Sequence, residues 1–442
     1  MAQLLVDFGT IVGKIKPLHG GGQPNLSSTG FHDFHILAEA GIPYSRLHDV
    51  GGVFGGGTYV DIPNLFRDFD ADEDDPANYD FAFTDRLIED LVRDGIEPYF
   101  RLGVTIENGA RVKSYTIDPP KDYEKWARIC EHVMAHYLRG WANGYHYKIT
   151  YWEIWNEPDN FGPYRTPYAE HAVNQMWTGS AEDYYRLYDV TAKHLKAKFP
   201  EAQIGGYASC GFYQLTAKFD RIKPYHKQEY AYYVTFFRDF LTYVKEHHSP
   251  IDFFSWHSYA SPQDTFIWAD FVKEELEKAG YAGLPTHLNE WNPHAKTRGT
   301  AAHGAEVAAM MLGMQNKPAV ALMCIYDMKS SGGRYAPLFN SMTDKPTYAY
   351  YAMVAFNHLY RLGDQVKLTS DTEGIYAVAA TDGKKKAIMV ANLTGESQPL
   401  EIVGADLSDA RFYIMDDGRL LSWAANADTV EPNAVVLIEF ES

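Results

Sequence analysis

Short apolar runs alternate with long amphipathic stretches along most of the chain. The runs are bounded by Gly, Pro or Asn, which predicts strands, whereas the long stretches repeat apolar positions with a period near 3.6 residues, which predicts helices. The predicted strands are Thr10–Lys16, Ile42–His48, Ile96–Leu102, Ile149–Trp155, Gln203–Tyr207, Asp252–His257, Thr286–Glu290 and Val320–Tyr326. The predicted helices are Thr29–Ala40, Phe81–Asp94, Asp122–Leu138, Ala181–Phe199, Ala231–His247, Phe266–Ala279, Ala301–Gln315 and Lys345–His358.

This alternation of strands and helices predicts an α/β fold in which a parallel sheet closes into a (β/α)8 TIM barrel over residues 10–358. A doubly wound open sheet is the alternative. From residue 359 to residue 442 the helical period disappears and short apolar runs alternate with turn signals, which predicts a smaller antiparallel β-sandwich domain. Residues 1–9 are expected to add a strand to that domain. The runs are Ile375–Ala380, Lys386–Asn392, Arg411–Met415 and Ala434–Phe440.

Composition narrows the range of partners. The 442 residues include 58 acidic and 40 basic side chains, for a formal net charge of −18. Such a surface repels phosphate backbones and anionic lipids, so we expect neither nucleic acid nor a membrane as the main partner. Aromatic residues make up 15% of the chain, and aromatic faces stack on sugar rings or fill large cores. A homo-oligomer is compatible with this composition.

The sequence shows no sign of secretion or of bound metal. The three cysteines are far apart, and no secretory signal peptide begins the chain, so we expect a cytoplasmic protein. Gly20–Gly22 and Gly51–Gly57 lack the ending of a phosphate-binding loop, and we expect both to be loops at the barrel mouth. The acidic run Asp68–Asp75 lacks the glycine and glutamate of an EF-hand. We therefore expect no cofactor and no metal. The sequons at Asn25 and Asn392 matter only in a secreted protein.

Two glutamates stand where predicted strands end. Glu157 follows the fourth strand, in Trp-Asn-Glu-Pro, and Glu290 ends the seventh, in Asn-Glu-Trp-Asn. Chemistry in such barrels lies at the C-terminal ends of the strands, and ring closure brings the fourth and seventh strands across the mouth from each other. Two carboxyl groups that face one ligand are what cleavage of a glycosidic bond requires. The pair therefore predicts a glycosidase site.

The neighbours of Glu157 support that interpretation. Pro158 disfavours α geometry at Glu157 and so directs the turn. Asn156 is placed to hold a sugar hydroxyl in the transition state. Apolar and aromatic neighbours are expected to raise the pKa of Glu157, as a general acid at neutral pH needs.

Residues 152–158 and 289–292 resemble the catalytic motifs of clan A glycoside hydrolases. The finer resemblance is to glycoside hydrolase family 39, the group of β-xylosidases and α-L-iduronidases, and it extends over about residues 41–358. Supporting segments are Arg46-Leu47-His48, residues 252–259 and residues 345–348. The resemblance implies a barrel with a β-sandwich packed against it.

The resemblance also implies roles for individual residues. Glu157 would be the general acid/base and Glu290 the nucleophile, with net retention of configuration. Arg46 would hold the Glu290 carboxylate ionised, and Tyr259 would hydrogen-bond it. The implied substrate-binding residues are Asn156, which contacts the 2-hydroxyl, His48, His257, Tyr259, Trp291, which packs beneath the sugar, and Arg46. The implied partner is an oligosaccharide or glycoside.

Three departures from the family pattern leave the sugar open. Asn289 precedes the nucleophile where Ser or Thr is usual, Asp49 follows His48 where Gly is usual, and Tyr326-Asp327 is followed by Lys329 and Arg334. A β-xyloside is the first expectation, and an arabinoside, a uronide or a galactoside is the alternative. Long segments at residues 49–79 and 159–179 favour exo over endo action. Two further classes remain open: a carbohydrate-binding protein without turnover, and a barrel enzyme that uses phosphate or a metal.

Overall fold

A computed structural model describes residues 2–22, 35–48, 60–104, 117–160, 176–218, 224–293, 296–328, 337–340, 343 and 345–441. Its first strand, β1 (Ala2–Lys14), belongs to a separate sheet, and the next eight close into a parallel barrel. The barrel strands are β2 (Gly20–Gly22), β3 (Tyr44–Leu47), β4 (Glu97–Leu102), β5 (Tyr151–Ile154), β6 (Gln203–Ser209), β7 (Phe253–Ser258), β8 (Thr286–Trp291) and β9 (Val320–Ile325). The closed ring confirms the (β/α)8 prediction and excludes the open sheet.

The described helices lie between and after the barrel strands, and all except Ile62–Leu65, which was not predicted, lie near predicted positions. They are α1 (His35–Glu39), α2 (Ile62–Leu65), α3 (Ala82–Arg93), α4 (Tyr123–Arg139), α5 (Ala181–Lys198), α6 (Pro224–Glu246), α7 (Pro262–Ala279), α8 (Ala301–Gln315) and α9 (Tyr348–Leu362). Helix α5 begins at a capping box, in which Ser180 and Asp183 satisfy each other's backbone N–H groups. Among these helices, none is both long and apolar enough to cross a bilayer.

The predicted first barrel strand, Thr10–Lys16, is wrong. Residues 2–14 form β1, which pairs with strands outside the barrel, and Gly20–Gly22 supplies the barrel strand instead of a loop at the mouth. A side chain has no room there, because a Cβ on Gly20 would come within 2.8 Å of the Met323 carbonyl oxygen. Strand propensity disfavours glycine, so the pattern gave no signal for a strand whose position depends on close backbone approach. Gly51–Gly57 lies outside the described residues.

The second sheet has nine strands. Besides β1 these are β10 (Asp364–Ser370), β11 (Ile375–Thr381), β12 (Lys385–Asn392), β13 (Gln398–Val403), β14 (Arg411–Asp416), β15 (Arg419–Ala424), β16 (Thr429–Val430) and β17 (Val435–Glu441), in the spatial order β15-β14-β17-β12-β11-β10-β1-β13-β16. The sheet is mixed, because β1 runs parallel to β13 while the other neighbours are antiparallel. The prediction of a separate β domain is therefore confirmed. The prediction that its strands are all antiparallel is wrong for one pair, because β1 runs parallel to β13.

The two faces of this sheet belong to two different cores. Alternate residues of β12 show this: Ala387 and Met389 join the large core shared with the barrel helices, whereas Ile388 and Val390 join a separate core inside the curled sheet. Helices α8 and α9 contact β11 and β12. Because both faces of the sheet are covered at β12, the sheet forms a second hydrophobic unit that packs against α8 and α9 of the barrel.

The sequon at Asn392 is closed to modification in the folded chain. The Asn392 side chain is fully buried, and its amide donates hydrogen bonds to the backbone carbonyls of Glu396, Val430 and Glu431. It is a structural residue that ties β12 to the turn before β13. The sequon at Asn25 lies outside the described residues.

Candidate active site

A bulge in β8 brings two consecutive side chains to the inside of the barrel. The register between β7 and β8 shifts after the pair Trp256–Leu288, so that the next pair is His257–Glu290. Successive residues of a strand normally face opposite sides, and a bulge changes the direction of a side chain. Asn289 accordingly reaches inward to Glu153, with 2.5 Å between its Nδ2 and Glu153 Oε1, while Glu290 also faces inward.

A strained turn carries the other glutamate. Trp155 and Glu157 have φ values of 73° and 45°, in the left-handed region that non-glycine residues rarely adopt. The turn is held because the Glu157 N–H donates to the Ala208 carbonyl at 3.1 Å, and Asn160 Nδ2 donates to Glu157 Oε2 at 2.8 Å. Residue 208 also has a positive φ, of 59°. The ends of β5 and β6 therefore fix the Glu157 carboxyl together.

The two glutamates meet across the barrel mouth. One carboxylate oxygen from each, together with a ring nitrogen of His257, lie within 4.8 Å of one another. His257 stands between them, with Nδ1 at 2.8 Å from Glu157 Oε1 and Nε2 at 3.7 Å from Glu290 Oε2. This spacing brings both carboxyl groups within reach of a single bound atom.

Arg46 connects the polar groups below the pair. Its Nε donates to Glu153 Oε2 at 2.8 Å, one terminal nitrogen donates to Glu290 Oε2 at 3.1 Å, and the other to Asn156 Oδ1 at 2.6 Å. Arg46 and Glu153 are both completely buried. Tyr259 donates a 2.5 Å hydrogen bond to the other Glu290 oxygen. Glu290 is therefore held on both oxygens and cannot rotate freely.

Proton affinity is distributed across Glu157, His257 and Glu290. Burial raises the pKa of Glu157, but the hydrogen bonds from His257 and Asn160 outweigh it and leave that pKa below its ordinary value. Burial also raises the pKa of Glu290, with a further contribution from Glu157, against the attraction of His257 and Arg46. Burial lowers the pKa of His257, but the two carboxylates outweigh it and raise that pKa.

The expectation that apolar neighbours raise the pKa of Glu157 is therefore wrong for the free site. His257 and Asn160, which the sequence could not place beside Glu157, determine the direction. Among the three groups, the pKa of Glu157 is lowered whereas the pKa values of Glu290 and His257 are raised. The 2.8 Å contact between His257 Nδ1 and Glu157 Oε1 couples the titration of these two groups.

The same three groups are close enough to surround a cation, but hydrogen bonds already hold both carboxyl groups. Arg46 and Tyr259 donate to Glu290, and Asn160 donates to Glu157. A cation there would lie close to the buried Arg46 guanidinium, which carries the same charge sign and donates to Glu290 at 3.1 Å. The residues thus fit a metal poorly, and we retain the expectation that none takes part.

The remaining sequence-predicted residues lie at or below the mouth. His48 follows β3 and is nearly buried, with 3% of its surface exposed. Trp291 ends β8 and is fully enclosed, so a sugar could reach its ring only after neighbouring side chains move. The residues Asp49, Lys329 and Arg334, which the sequence suggested as modifiers of sugar choice, lie outside the described residues.

Comparison with known proteins agrees with this architecture. The model of the family described as glycosyl hydrolases family 39 matches residues 49–312, which is more than half of the chain. The chain belongs to glycosyl hydrolases family 39. The match contains the β5 and β8 motifs that carry the two glutamates.

Individual relatives of this family 39 chain are distant. A β-xylosidase from Geobacillus stearothermophilus is 24% identical over 288 residues, which cover 58% of this chain and 50% of the relative. The chain therefore spans about half the length of that curated relative. A glucosidase structure from Croceicoccus marinus superimposes with a TM-score of 0.74 at 18% identity, covering 100% of this chain and 99% of the other. A monomeric β-xylosidase from Caulobacter crescentus gives 0.68 at 18% identity, with 99% of each chain covered. At this identity the two structures establish a shared fold.

Sequence reasoning on this family 39 chain missed several residues of the site. Glu153 sits in the middle of β5 and reads as part of the motif, but its partner Arg46 is 107 residues away. Asn160 and Asp159 follow the motif, where the pattern indicates only a loop. A charged residue in the middle of an otherwise apolar barrel strand was the one available signal, since such a residue needs a buried partner.

Removal of Glu153 tests the importance of the Arg46 cluster. Glu153→Ala leaves the buried Arg46 guanidinium with less compensating charge and Asn289 without its acceptor, so we expect the free energy of unfolding to fall by about 3–5 kcal/mol. Urea unfolding followed by circular dichroism measures the change. The matched control is Glu274→Ala, because Glu274 is exposed and lies 3.8 Å from Lys278 on one helix face; we expect a change within about 0.5 kcal/mol there. Equal losses in the two variants would contradict the prediction.

Proposed function

We propose that this protein is a retaining exo-glycosidase that hydrolyses a β-xyloside or a related glycoside by double displacement. The observation that carries the proposal is the approach of a Glu157 oxygen and a Glu290 oxygen to within 4.8 Å. Retaining glycosidases hold their two carboxyl groups about 5–5.5 Å apart, whereas inverting ones need about 6.5–9.5 Å to admit a water. The spacing therefore favours direct attack by one carboxylate.

In the first step, a Glu290 oxygen attacks the anomeric carbon while the bond to the departing oxygen breaks. Glu157 gives its proton to that oxygen, so the leaving group departs as a neutral alcohol. Arg46 and Tyr259 stabilise the Glu290 carboxylate and fix its orientation toward the sugar. The product of this step is a glycosyl ester on Glu290.

In the second step, the ionised Glu157 removes a proton from a water molecule, whose oxygen attacks the anomeric carbon of the ester. The bond to Glu290 breaks and the sugar leaves with its original configuration. The lowered proton affinity of Glu157 in the free site is consistent with its use as a base, and His257 and Asn160 support that ionised form.

Sugar binding is assigned to the groups around the pair. Asn156 Oδ1 accepts from Arg46, which orients the Asn156 amide so that its NH2 group is the part left to meet the 2-hydroxyl. His48, His257 and Tyr259 would contact other hydroxyls. Asn289 lies below Glu290, and its amide donates to Glu153 instead of to the sugar. The asparagine in place of the usual Ser or Thr therefore changes the hydrogen bonds that hold the site together.

The identity of the sugar is inferred from named relatives, and the cellular location is inferred from the cysteines. The curated relatives are named β-xylosidases, and one structural neighbour is titled a glucosidase. An arabinoside, a uronide or a galactoside is the alternative for the same mechanism, and a β-glucoside joins them. The cytoplasm is the proposed location because Cys130, Cys210 and Cys324 are unpaired and buried.

A panel of nitrophenyl glycosides tests the proposal. We expect release of nitrophenol from one or more of the β-xyloside, β-glucoside, β-galactoside, β-glucuronide and α-L-arabinoside, unchanged by EDTA. Proton NMR of the first-formed sugar should show retention of configuration. A first product of inverted configuration would overturn the double displacement. Absence of turnover, combined with a rise in melting temperature on addition of xylose, would favour a carbohydrate-binding protein. Loss of activity in EDTA would favour a metal enzyme.

A further inference from the structure

Three stacked aromatic rings lie at the rim of the barrel beside β6, and the proposed mechanism uses none of them. Tyr213 belongs to a single turn (Tyr213–Leu215) that follows β6, and His226 and Tyr230 belong to the start of α6. The ring centroids of Tyr213 and Tyr230 are 5.1 Å apart, and those of Tyr230 and His226 are 5.6 Å apart. Each side chain is partly exposed. Because segments that follow a barrel strand begin at its C-terminal end, the stack lies at the mouth.

Two contacts place this stack next to the catalytic groups. The Tyr259 N–H donates to the Tyr213 hydroxyl at 3.4 Å, and the Tyr259 hydroxyl donates to Glu290. Gly211 separates Tyr213 from the backbone of β7, because a Cβ there would lie 2.9 Å from the His257 carbonyl oxygen and 3.3 Å from Tyr213 Cε2. The absent side chain lets the Tyr213 ring lie close to the strand that carries His257.

The position of the acid indicates the side of the mouth that the departing group occupies. Glu157 on β5 and Glu290 on β8 divide the ring of strands, with β6 and β7 on one side and β9, β2, β3 and β4 on the other. Arg46 and His48, which are assigned to the retained sugar, lie at β3. The Glu157 N–H donates to the Ala208 carbonyl of β6 at 3.1 Å. The group that leaves from Glu157 therefore extends over β6 and β7, toward the stacked rings.

A buried carboxylate orients one member of the stack. Glu229 is only 6% exposed, accepts from the Tyr233 hydroxyl at 3.0 Å and lies 2.8 Å from His226 Nδ1. Because the carboxylate accepts, Nδ1 carries the proton, and the His226 ring is held with Nε2 directed away from Glu229. The His226 side chain is 36% exposed, so a ligand at the rim can reach it.

We propose that Tyr213, Tyr230 and His226 form the binding site for the departing group, and that this group is a neutral pyranose unit. Aromatic rings match the apolar C–H surface of a sugar, and an oriented imidazole nitrogen matches its hydroxyl groups. The carboxylate of Glu229 beside the stack and the net charge of −18 disfavour an anionic unit. The preferred substrate is then an oligosaccharide. This inference rests on the proposed function for the direction of cleavage.

Tyr230→Ala tests the site with two substrates, xylobiose and methyl β-xyloside. Both release an alcohol that requires the same proton from Glu157, and they differ in the second sugar ring. We expect the ratio of kcat/KM for xylobiose to that for methyl β-xyloside to fall about tenfold in Tyr230→Ala and about fivefold in His226→Ala. Tyr230→Phe keeps the ring and should restore most of the ratio.

The matched control is Tyr243→Ala. Tyr243 lies on the same helix about 20 Å farther along, away from the mouth, and its ring stacks on His247 with 3.8 Å between centroids. The substitution removes the same kind of stack, so it should leave the ratio within about twofold of wild type. An unchanged ratio in Tyr230→Ala, or an equal fall in Tyr243→Ala, would overturn the inference.

Binding separates this inference from the proposed function. Titration calorimetry of xylobiose with Glu290→Gln measures binding without cleavage, and adding Tyr230→Ala should raise the Kd about tenfold, whereas adding Tyr243→Ala should not. If neither xyloside is turned over by the wild-type chain, the proposed action on xylosides fails and this titration alone decides the site. Equal Kd values with and without Tyr230→Ala, or no binding of xylobiose, would overturn the site even where turnover is observed.

Discussion

Glu290→Ala is expected to abolish turnover of every glycoside, with a fall in kcat/KM of at least about ten-thousand-fold. The carboxylate that forms the bond to the anomeric carbon, which has an oxygen within 4.8 Å of a Glu157 oxygen, is absent from this variant. Initial rates with an activated nitrophenyl substrate measure the loss. Glu274→Ala, an exposed glutamate on α7, is the control for the substitution itself and should retain wild-type rates.

Azide distinguishes a missing nucleophile from a disrupted site. A small anion can enter the space left by the Glu290 side chain and attack the anomeric carbon from the same side, which yields a glycosyl azide of inverted configuration. We expect azide to restore part of the rate in Glu290→Ala, with this product identified by NMR. Restored hydrolysis that gives only free sugar, or an azide product of retained configuration, would rule out Glu290 as the nucleophile.

Glu157→Ala is expected to have an effect that depends on the leaving group. A dinitrophenolate departs without a proton, so kcat/KM for a dinitrophenyl glycoside should fall less than about tenfold, whereas that for a phenyl or alkyl glycoside should fall by about a hundred- to ten-thousand-fold. The difference measures the proton that Glu157 delivers. The value of kcat/KM is the correct quantity, because it reports the first step and excludes the slowed hydrolysis of the ester.

The opposite pattern would identify a different acid. If Glu157→Ala loses equal activity on both classes of substrate, proton donation lies elsewhere, and His257 is the adjacent group that could supply it. Azide should also accelerate Glu157→Ala, but with a product of retained configuration, since attack then occurs on the ester of Glu290. The two variants are thus each other's controls.

Periodicity predicted the helices well because each barrel helix buries one face against the sheet. Helix α8 spans the predicted residues Ala301–Gln315, and α5 differs by one residue at its end. The pattern failed where structure depends on partners distant in sequence. Strand β13 (Gln398–Val403) alternates half-buried and exposed residues, so it carries little apolar signal, and β2 consists of glycines.

The candidate site likewise has features that the sequence predicted and features that depend on partners distant along the chain. Glu157 and Glu290 were found because rare residues coincide at strand ends, where barrel chemistry is expected. The direction of their proton affinities could not be predicted, because it depends on His257, which is 100 residues from Glu157, and on Arg46, which is 244 residues from Glu290. Spacing along a chain reports which element carries a residue, but not which side chains from other elements surround it.

The position of β1 has a consequence for synthesis of the chain. Val6 pairs with Leu368 of β10, and Leu4 pairs with Ile402 of β13, so β1 is synthesised long before the strands with which it pairs. At about 5–20 residues per second, this strand waits roughly twenty seconds to more than a minute for them. The alternating apolar residues Ala2, Leu4 and Val6, which are buried in the finished sheet, are exposed during that interval. During synthesis this strand is therefore an unpaired apolar edge, which favours aggregation until the second sheet closes.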